Sequence, residues 1–470
     1  MSAPASEQQQ STASASELLA VPAQDQTAGQ TRSASPTRRL VALDAWRGLT
    51  IVLMLLVNNV ALGEFTPAEL VHAPWGGGLT LTDLVFPWFL FCAGAALPFS
   101  LGKVVGGKVV GGSGSVGSVS VGSAPPSWWP NWSTVRKLVA RAAALYLVGA
   151  LLTSVANQAP SLGLGVLQLI ALASLGAGLL ARWPLAWRWR LGAALGLLAA
   201  YQVFLLSAPF TETDNAVTRL NTLLLSDLGL RGLSSVLPVT ALALLGSVAA
   251  EFLKVEFSKA HSAKAQASET QSPKTQSPEV QSPNIRLLEA PPEDAQRADR
   301  VAPISEQSTT DRAAAHRVTV DRALPLLLGL GAALSLGGWL LSGVMGYNKT
   351  VWTPAYVLYS AGLGTLGLLA FYLIADARGG RRSALLGPLA IAGRNSLFAY
   401  TAPILLKSWV LTVWKVNWTG EPLSILDSLL SLLRRGLGVQ VGGWLYSLGY
   451  VAAVWLVLWL LARRGWTWKL

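Results

Sequence analysis

The chain has 470 residues, of which 52% are hydrophobic and 13% are charged, and its formal net charge is +12. Soluble globular proteins carry about 25% charged residues, so this composition excludes an ordinary water-soluble domain. The basic residues are spread among short loops between apolar runs, which fits the positive-inside rule better than a basic face for nucleic acid. A single cysteine, Cys92, excludes an intrachain disulfide and a cysteine-based metal centre.

The predicted elements are apolar helices near the ~20 residues needed to cross a ~30 Å hydrocarbon core. Residues 1–38 precede them as a disordered Ser/Ala/Gln/Thr-rich tail without the apolar core of a signal peptide. The membrane domain follows in two parts, 39–254 with about six spans and 321–470 with about four. We place the spans at 42–62, 79–101, 135–154, 163–181, 190–208, 233–253, 323–343, 352–375, 387–411 and 441–461.

Two low-complexity segments interrupt these spans. A Gly/Ser/Val linker occupies 102–127, and a polar linker with repeated Gln-Ser-Pro occupies 255–320. Both are predicted to be flexible and cytoplasmic. The loop after the ninth predicted span carries Arg434 and Arg435. An extra interfacial helix is an alternative prediction for this loop.

Loop charges give an orientation. Lys and Arg are concentrated before the first span and after the second, fourth and eighth spans, and the alternating loops carry far fewer. By the positive-inside rule this predicts an all-α, polytopic transmembrane helix bundle of about ten spans with both termini in the cytoplasm. No repeat of spans is visible, which weighs against an inverted-repeat transporter.

One histidine belongs to the membrane domain. His261 and His316 lie in the predicted linker, so His72 is the group there that titrates near neutral pH and suits general-base or nucleophilic work. The ordinary alternative is a solvated loop histidine. Pro74 and the run Gly76–Gly78 favour a functional role, because they predict a tight turn that folds the loop back on itself.

Polar residues also stand at the ends of the first two spans. Asp44 and Arg47 are one helical turn apart, so they can pair, either as part of a functional site or as an ion pair that closes the bundle. Asn58 and Asp83 lie near the outer ends of their spans, where polar groups mark functional sites by default. We expect Asn58 and His72 to be close to each other on the outer side.

Several blocks of sequence then carry a resemblance. They are LVALDAWRG at 40–48, VN at 57–58, HAPW at 72–75, DLVFPWFLF at 83–91, GVLQ at 165–168, LSSVLP at 233–238, KTVWTPAYVL at 349–358 and GRNSLF at 393–398. This set closely resembles the heparan-α-glucosaminide N-acetyltransferase family and its bacterial relatives. It departs from the family at Leu169, where the family has arginine, and at Gly76–Gly78, where the turn is longer.

The resemblance implies a transmembrane enzyme that moves an acetyl group from cytosolic acetyl-CoA to an amino sugar across the membrane. The family's catalytic histidine falls on His72 and its active-site asparagine on Asn58. Arg47 and Arg394 are candidates for the phosphates of acetyl-CoA, because guanidinium binds phosphate bidentately. The remaining predicted binding residues are Asp44, Trp75, Asp83, Lys349 and Asn395. No metal and no permanently bound cofactor are expected, with acetyl-CoA as a co-substrate.

We therefore predict an integral membrane acyltransferase, N- or O-directed, with an extracytoplasmic sugar-like acceptor and membrane lipids as partners. His72 serves either as a transient acyl acceptor or as a base, while Asn58 orients it or stabilises the oxyanion. The resemblance favours a homodimer and the plasma (inner) membrane of a bacterium. The alternatives are a membrane transporter or lipid-handling protein without acyl chemistry, and a scaffold whose linker recruits partners.

Overall fold

The described part of the chain is almost entirely helical. The computed structural model describes residues 40–100, 132–181, 187–225, 232–269, 307–377, 383–417 and 420–468, with only the backbone given for 255–269 and 307–322. The helices are α1 (Val41–Val57), α2 (Leu81–Ala95), α3 (Trp132–Asn157), α4 (Val166–Leu180), α5 (Trp187–Leu206), α6 (Ala216–Leu220), α7 (Val236–Glu269), α8 (Gln307–Leu341), α9 (Pro354–Ala375), α10 (Gly387–Arg394), α11 (Ser396–Leu405) and α12 (Ile425–Arg463). Strands β1 (Lys415–Val416) and β2 (Leu423–Ser424) form a short antiparallel ribbon. The predicted all-α class is confirmed.

Seven stretches of the described residues are long and apolar enough to cross a membrane. They are Leu81–Ser100, Trp132–Asn157, Trp187–Leu206, Leu233–Lys254, Ala323–Leu341, Pro354–Ala375 and Ile425–Arg463. Each overlaps a predicted span, so the chain is an integral membrane protein. The other three predicted spans fall on α1, on α4 and on the pair α10–α11, which are shorter helices. The count of ten spans and the cytoplasmic termini therefore stay predictions.

The ninth predicted span, 387–411, is interrupted. Helix α10 ends at Arg394, and Asn395 has non-helical backbone angles (φ −110°, ψ 35°). The Asn395 N–H donates to the Ala392 carbonyl at 3.2 Å while its own carbonyl accepts from Ala399 N–H at 2.9 Å. One residue thus ends α10 and begins α11. A wider π turn, Leu406–Leu411, follows α11.

Helix α12 begins before the last predicted span. Ser424 starts it by accepting a hydrogen bond from Asp427 N–H at 3.1 Å. Gly438, with φ of +80°, then breaks the helix into two segments. The first segment carries Arg434, whose Nη2 donates to the Ala61 carbonyl at 2.7 Å. The loop that the sequence assigns after the ninth span therefore contains the additional helix.

The predicted linkers fall only partly on described residues. Helix α7 continues to Glu269 and α8 starts at Gln307, so the backbone is helical at both ends of the predicted 255–320 linker. The rest of that linker, the tail 1–38 and the Gly/Ser/Val linker 102–127 lie outside the described residues.

Helix α7 is at the centre of the bundle. Its apolar stretch is 83% buried, whereas the corresponding stretches of α3 and α12 are only 17% buried. Since lipid is as apolar as a protein core, the exposed leucines, valines and tryptophans of α3 and α12 suit a lipid-facing surface. Phe91 of α2 and Leu244 and Leu245 of α7 are fully buried in the core where these two helices pack together.

Close helix contacts fix the position of α1. A Cβ at Gly48 of α1 would clash with the Leu389 carbonyl of α10, and one at Gly393 of α10 would clash with the Asp44 carbonyl of α1. These pairings make α1 and α10 antiparallel and require small residues at their crossing. Arg394 therefore lies at the same end of the bundle as Asp44, and the loop after α1 lies at the opposite end.

Candidate active site

The loop that carries His72 connects α1 to α2. Pro74 starts a turn in which Gly76 and Gly78 have φ of +77° and +86°, conformations that other residues rarely adopt. The Thr80 hydroxyl donates to the Val71 carbonyl at 2.7 Å and closes the loop on itself. The glycine run is therefore required by the backbone path that brings His72 back towards the start of α2.

Asp83 holds His72 in place. Its Oδ1 lies 2.8 Å from His72 Nδ1, and its Oδ2 accepts from the backbone N–H groups of Ala73 and Thr80 at 3.1 and 3.2 Å. Asp83 is the third residue of α2, where a carboxylate also satisfies free N–H groups and the helix dipole. Its side chain is only 3% exposed, whereas that of His72 is 58% exposed. The imidazole is thus anchored through Nδ1, although most of its side chain is exposed.

Asp83 determines which ring nitrogen of His72 bears the proton. A buried carboxylate that accepts from backbone donors also accepts from Nδ1–H, so the neutral imidazole keeps its proton on Nδ1. The Nε2 lone pair then faces away from Asp83. This is the arrangement that a histidine needs to act as a nucleophile or as a base.

A second loop, between α8 and α9, brings Lys349 to the same place. Asn348 Oδ1 accepts from the backbone N–H groups of Thr350 and Val351 at 2.8 and 3.2 Å, and Asn348 N–H donates to Thr353 Oγ1 at 3.0 Å. These bonds form a tight turn in which Trp352 has a φ of +53°. The turn is rigid and contains Lys349, the residue after Asn348.

Lys349 lies directly against the imidazole. Its Nζ is 3.1 Å from His72 Nδ1 and 3.2 Å from Nε2, and 3.8 Å from Asp83 Oδ1. Burial lowers the pKa of Lys349 below the ordinary 10.5, and the Asp83 charge opposes that change. Two loops that are far apart in sequence therefore join a carboxylate, an imidazole and an amine.

These three groups open on a cavity of about 580 Å³. A cavity of this size accommodates a small-molecule ligand. Trp75 forms part of the wall and packs on Phe210, with ring centroids 5.1 Å apart. The lining residues include Asn58, His72, Trp75, Asp83, Lys349, Leu169, Tyr347, Asn348, Thr350, Trp352 and Tyr400. Five of the residues predicted from the sequence thus share one cavity, and Leu169 exposes an apolar side chain to it.

Four predicted residues lie elsewhere. Arg47 Nη1 is 3.9 Å from Asp44 Oδ1, and Arg47 Nη2 is 3.4 Å from the Cys92 carbonyl. Arg394 is exposed, and its Nε donates to Ala390 of its own helix at 3.2 Å. Arg47 precedes Asn58 by 11 residues, which is ~16 Å along a helix. These arginines, with the neighbouring Asn395, occupy the end of the bundle opposite the His72 cavity.

Sequence reasoning missed several residues that support the site. Thr80 ties the loop and Asp83 together, and the pattern Thr-x-x-Asp at the start of an apolar run is a recognisable helix-start signal. Tyr356, buried in α9, donates to the Asp83 carbonyl at 2.6 Å. Asn348 immediately before Lys349 is a turn signal. Tyr400 has no local signal, because it reaches the cavity only through the packing of α11.

Metal ligands do not cluster in the described residues. No group of three or more His, Cys, Asp or Glu side chains among them is arranged to hold a metal ion. The chemistry available at the cavity is that of an imidazole, a carboxylate, an amine and an amide.

Comparison with known proteins identifies this domain. Residues 39–276, just over half of the chain, match the family described as heparan-alpha-glucosaminide N-acetyltransferase, catalytic. The heparan-alpha-glucosaminide N-acetyltransferase of Mus musculus is 39% identical over 71 residues, which are 15% of this chain and 10% of that protein. The protein of the same name from Homo sapiens is 39% identical over 67 residues, 14% of this chain and 10% of the relative. The chain thus aligns with about a tenth of the length of these relatives. The matched domain contains Asn58, His72 and Asp83, and Lys349 lies beyond it.

Proposed function

This chain belongs to the heparan-alpha-glucosaminide N-acetyltransferase family, and from that premise we propose that it is a membrane acetyltransferase that uses acetyl-CoA and acetylates the amino group of a glucosamine-type sugar. The observation that carries the proposal is the cluster of His72, Asp83 and Lys349 on one cavity, which the matched domain lines together with the loop after α8. The acetyl group passes from coenzyme A to the sugar at His72.

The transfer begins at His72 Nε2. Asp83 keeps the proton on Nδ1, so the Nε2 lone pair attacks the carbonyl carbon of the thioester. The carbon–sulfur bond breaks, and the coenzyme A thiolate leaves with the electron pair. The acceptor amine then attacks the acetyl carbon, and its proton passes through solvent to the released coenzyme A thiolate. The bond to Nε2 breaks, and its electron pair returns to the nitrogen to restore neutral imidazole. The competing route is direct transfer, in which Nε2 only removes the proton from the amine.

Lys349 is placed to stabilise negative charge on the oxygen of the acetyl carbonyl during transfer. Its Nζ lies 3.2 Å from Nε2, and therefore next to the position of an acetyl carbonyl bound at that nitrogen. An incoming thioester displaces Lys349 from the lone pair, and the ammonium then bonds to the carbonyl oxygen as it becomes an oxyanion. A fixed donor at a developing oxyanion is commonly the largest single contribution to catalysis.

Asn58 and Trp75 complete the proposed site. Asn58 follows the last turn of α1 and exposes its side chain on the cavity, where an amide can bond to the sugar or to the oxyanion. Trp75 follows His72 in the same loop and lines the cavity. Its ring gives a flat apolar surface for a sugar ring. Together they position the acceptor amine against the acetyl group.

The donor is proposed to enter from the opposite end of the bundle. Acetyl-CoA carries phosphates that cannot enter hydrocarbon, so its nucleotide stays at the membrane surface. Arg47 and Arg394 are the candidates for these phosphates, and the loop charges assign their end to the cytoplasm. The acceptor then lies on the other side of the membrane, at the His72 loop.

Transfer of a labelled acetyl group tests the function. Purified protein is incubated with [1-¹⁴C]acetyl-CoA and glucosamine, and labelled N-acetylglucosamine and free coenzyme A are measured. The proposal requires equal amounts of both products. A transporter or lipid-handling protein, the alternative from the sequence, releases no coenzyme A. Without acceptor, free coenzyme A appears in a burst of about one equivalent per active site under the covalent route, and no burst appears under direct transfer.

A further inference from the structure

A second cavity adjoins the first one. It has a volume of about 180 Å³ and lies between α1, α11, the π turn after α11, and α12. Met54, Asn58 and Tyr400 line both cavities, so the two adjoin at these side chains. The second cavity is lined by Ile51, Met54, Leu55, Asn58, Asn59, Ala399, Tyr400, Pro403, Ile404, Lys407, Ser408 and Tyr450. Its walls are largely apolar, and Lys407 is the cation among them.

The ammonium group of Lys407 is held by neutral oxygens. Its Nζ donates to Asn59 Oδ1 at 2.9 Å and lies 3.4 Å from the Asn58 carbonyl. Asn59 is 8% exposed, and its Nδ2 donates to the Leu55 carbonyl at 2.7 Å, which fixes Oδ1 towards the lysine. Within the described residues no carboxylate forms an ion pair with Lys407. A partly buried ammonium with three donors and only neutral partners is a site for an anion from outside the protein.

The surroundings of Lys407 are those of a membrane interface. The π turn exposes Leu406 (49%) and Trp409 (66%). Just after it, Val413 (48%) and Trp414 (61%) are exposed as well. Tryptophan together with lysine is typical of the level where lipid headgroups meet hydrocarbon. A soluble anion uses only the lysine, whereas a lipid uses both the lysine and this apolar surface.

We propose that this second cavity binds the phosphate of a membrane lipid headgroup at Lys407, with the acyl chains along Leu406 and Trp409. Asn59 orients the ammonium towards the phosphate, and Ser408 also lines the cavity and carries a hydroxyl donor. The bound headgroup then lies beside Asn58, at the boundary with the His72 cavity. The proposal does not depend on the acetyltransferase chemistry, since it concerns binding alone.

Lipid retention by the full chain provides the test. Delipidated protein in detergent is titrated with phosphatidylglycerol, and bound lipid is counted by native mass spectrometry. Lys407→Met should raise the Kd of the tightest site by about tenfold or more, while Lys407→Arg should keep it. Lys415→Met is the matched control, since Lys415 is exposed on β1 next to the same surface and lies outside the cavity lining. Ser408→Asp is a second variant that keeps the lysine but places a negative charge in the cavity, and it should also abolish tight binding.

Three results would overturn the proposal. One is wild-type affinity for phosphatidylglycerol in both Lys407→Met and Ser408→Asp, with unchanged melting temperatures. Another is an equal loss in Lys415→Met, which means that only overall surface charge matters. The third is complete displacement of the lipid by millimolar inorganic phosphate, which identifies a site for a free anion.

Discussion

Asp83 binds His72 Nδ1 at 2.8 Å with one carboxylate oxygen and caps the start of α2 with the other. The residue that anchors the candidate catalytic imidazole is therefore also part of a helix. Anchoring on a helix terminus gives the loop histidine a fixed position although its side chain is 58% exposed. The geometry resembles that of a histidine oriented by a buried carboxylate in acyl-transfer enzymes.

Replacement of Asp83 should separate these two roles. Asp83→Asn should lower acetyl transfer by ~10²-fold, because the imidazole loses its fixed orientation and tautomer. Thr80→Ala removes a hydroxyl that contacts Asp83 Oδ2 at 3.1 Å and the Val71 carbonyl at 2.7 Å, but it leaves the bond between Asp83 and His72. It should cost ~1 kcal/mol of stability with a smaller loss of activity. Measurement of kcat and melting temperature for both variants is the check, and equal kcat losses would argue that Asp83 acts only on the helix.

Loss of His72 should remove transfer without unfolding the protein. His72→Ala deletes a side chain in an exposed loop, and Asp83 keeps its bonds to Ala73 and Thr80. Acetylation of glucosamine should fall by ~10²–10⁴-fold. Val71→Ala is the matched control in the same loop, since only the Val71 carbonyl is bonded to Thr80. Retention of more than about a tenth of the activity by His72→Ala contradicts the assignment.

The activity should fall at alkaline pH because Lys349 loses its charge. Its ammonium form is present below its pKa, which burial lowers from 10.5, so activity that needs the charge falls as pH rises through that lowered value. In Lys349→Arg the guanidinium stays charged at every pH that the protein tolerates, so the fall should move to higher pH. Lys349→Gln should lower kcat at every pH. The measurement is kcat against pH, corrected for spontaneous thioester hydrolysis, and identical profiles for wild type and Lys349→Arg would exclude the role.

The sequence predicts the site better on the side of α1 and α2 than elsewhere. Asn58, His72 and Asp83 lie within 26 residues of one another, so local patterns and one helix-start signal suffice to connect them. Lys349 was predicted as a binding residue, but its contact with His72 depends on the packing of α9 against α2, which no local pattern encodes. One span is predicted through Asn395, because the apolar runs on either side of Arg394, Asn395 and Ser396 together have the length of a span. The buried Oδ1 of Asn395 has no hydrogen-bond partner within the described structure, which local sequence also does not reveal.

The helix packing also predicts on which side of the membrane each substrate binds. Arg47 and Arg394 lie at one end of the bundle and His72 at the other, and the loop charges assign the arginine end to the cytoplasm. In sealed vesicles, labelled acetyl-CoA should be consumed only from the cytoplasmic side, and acetylated sugar should appear only on the other. Arg47→Ala should raise the KM for acetyl-CoA at an unchanged melting temperature. If Arg47 only pairs with Asp44, which is 3.9 Å away, the variant should instead lose stability and keep its KM. Equal labelling from right-side-out and inverted vesicles would contradict transfer across the membrane, even if His72 proves catalytic.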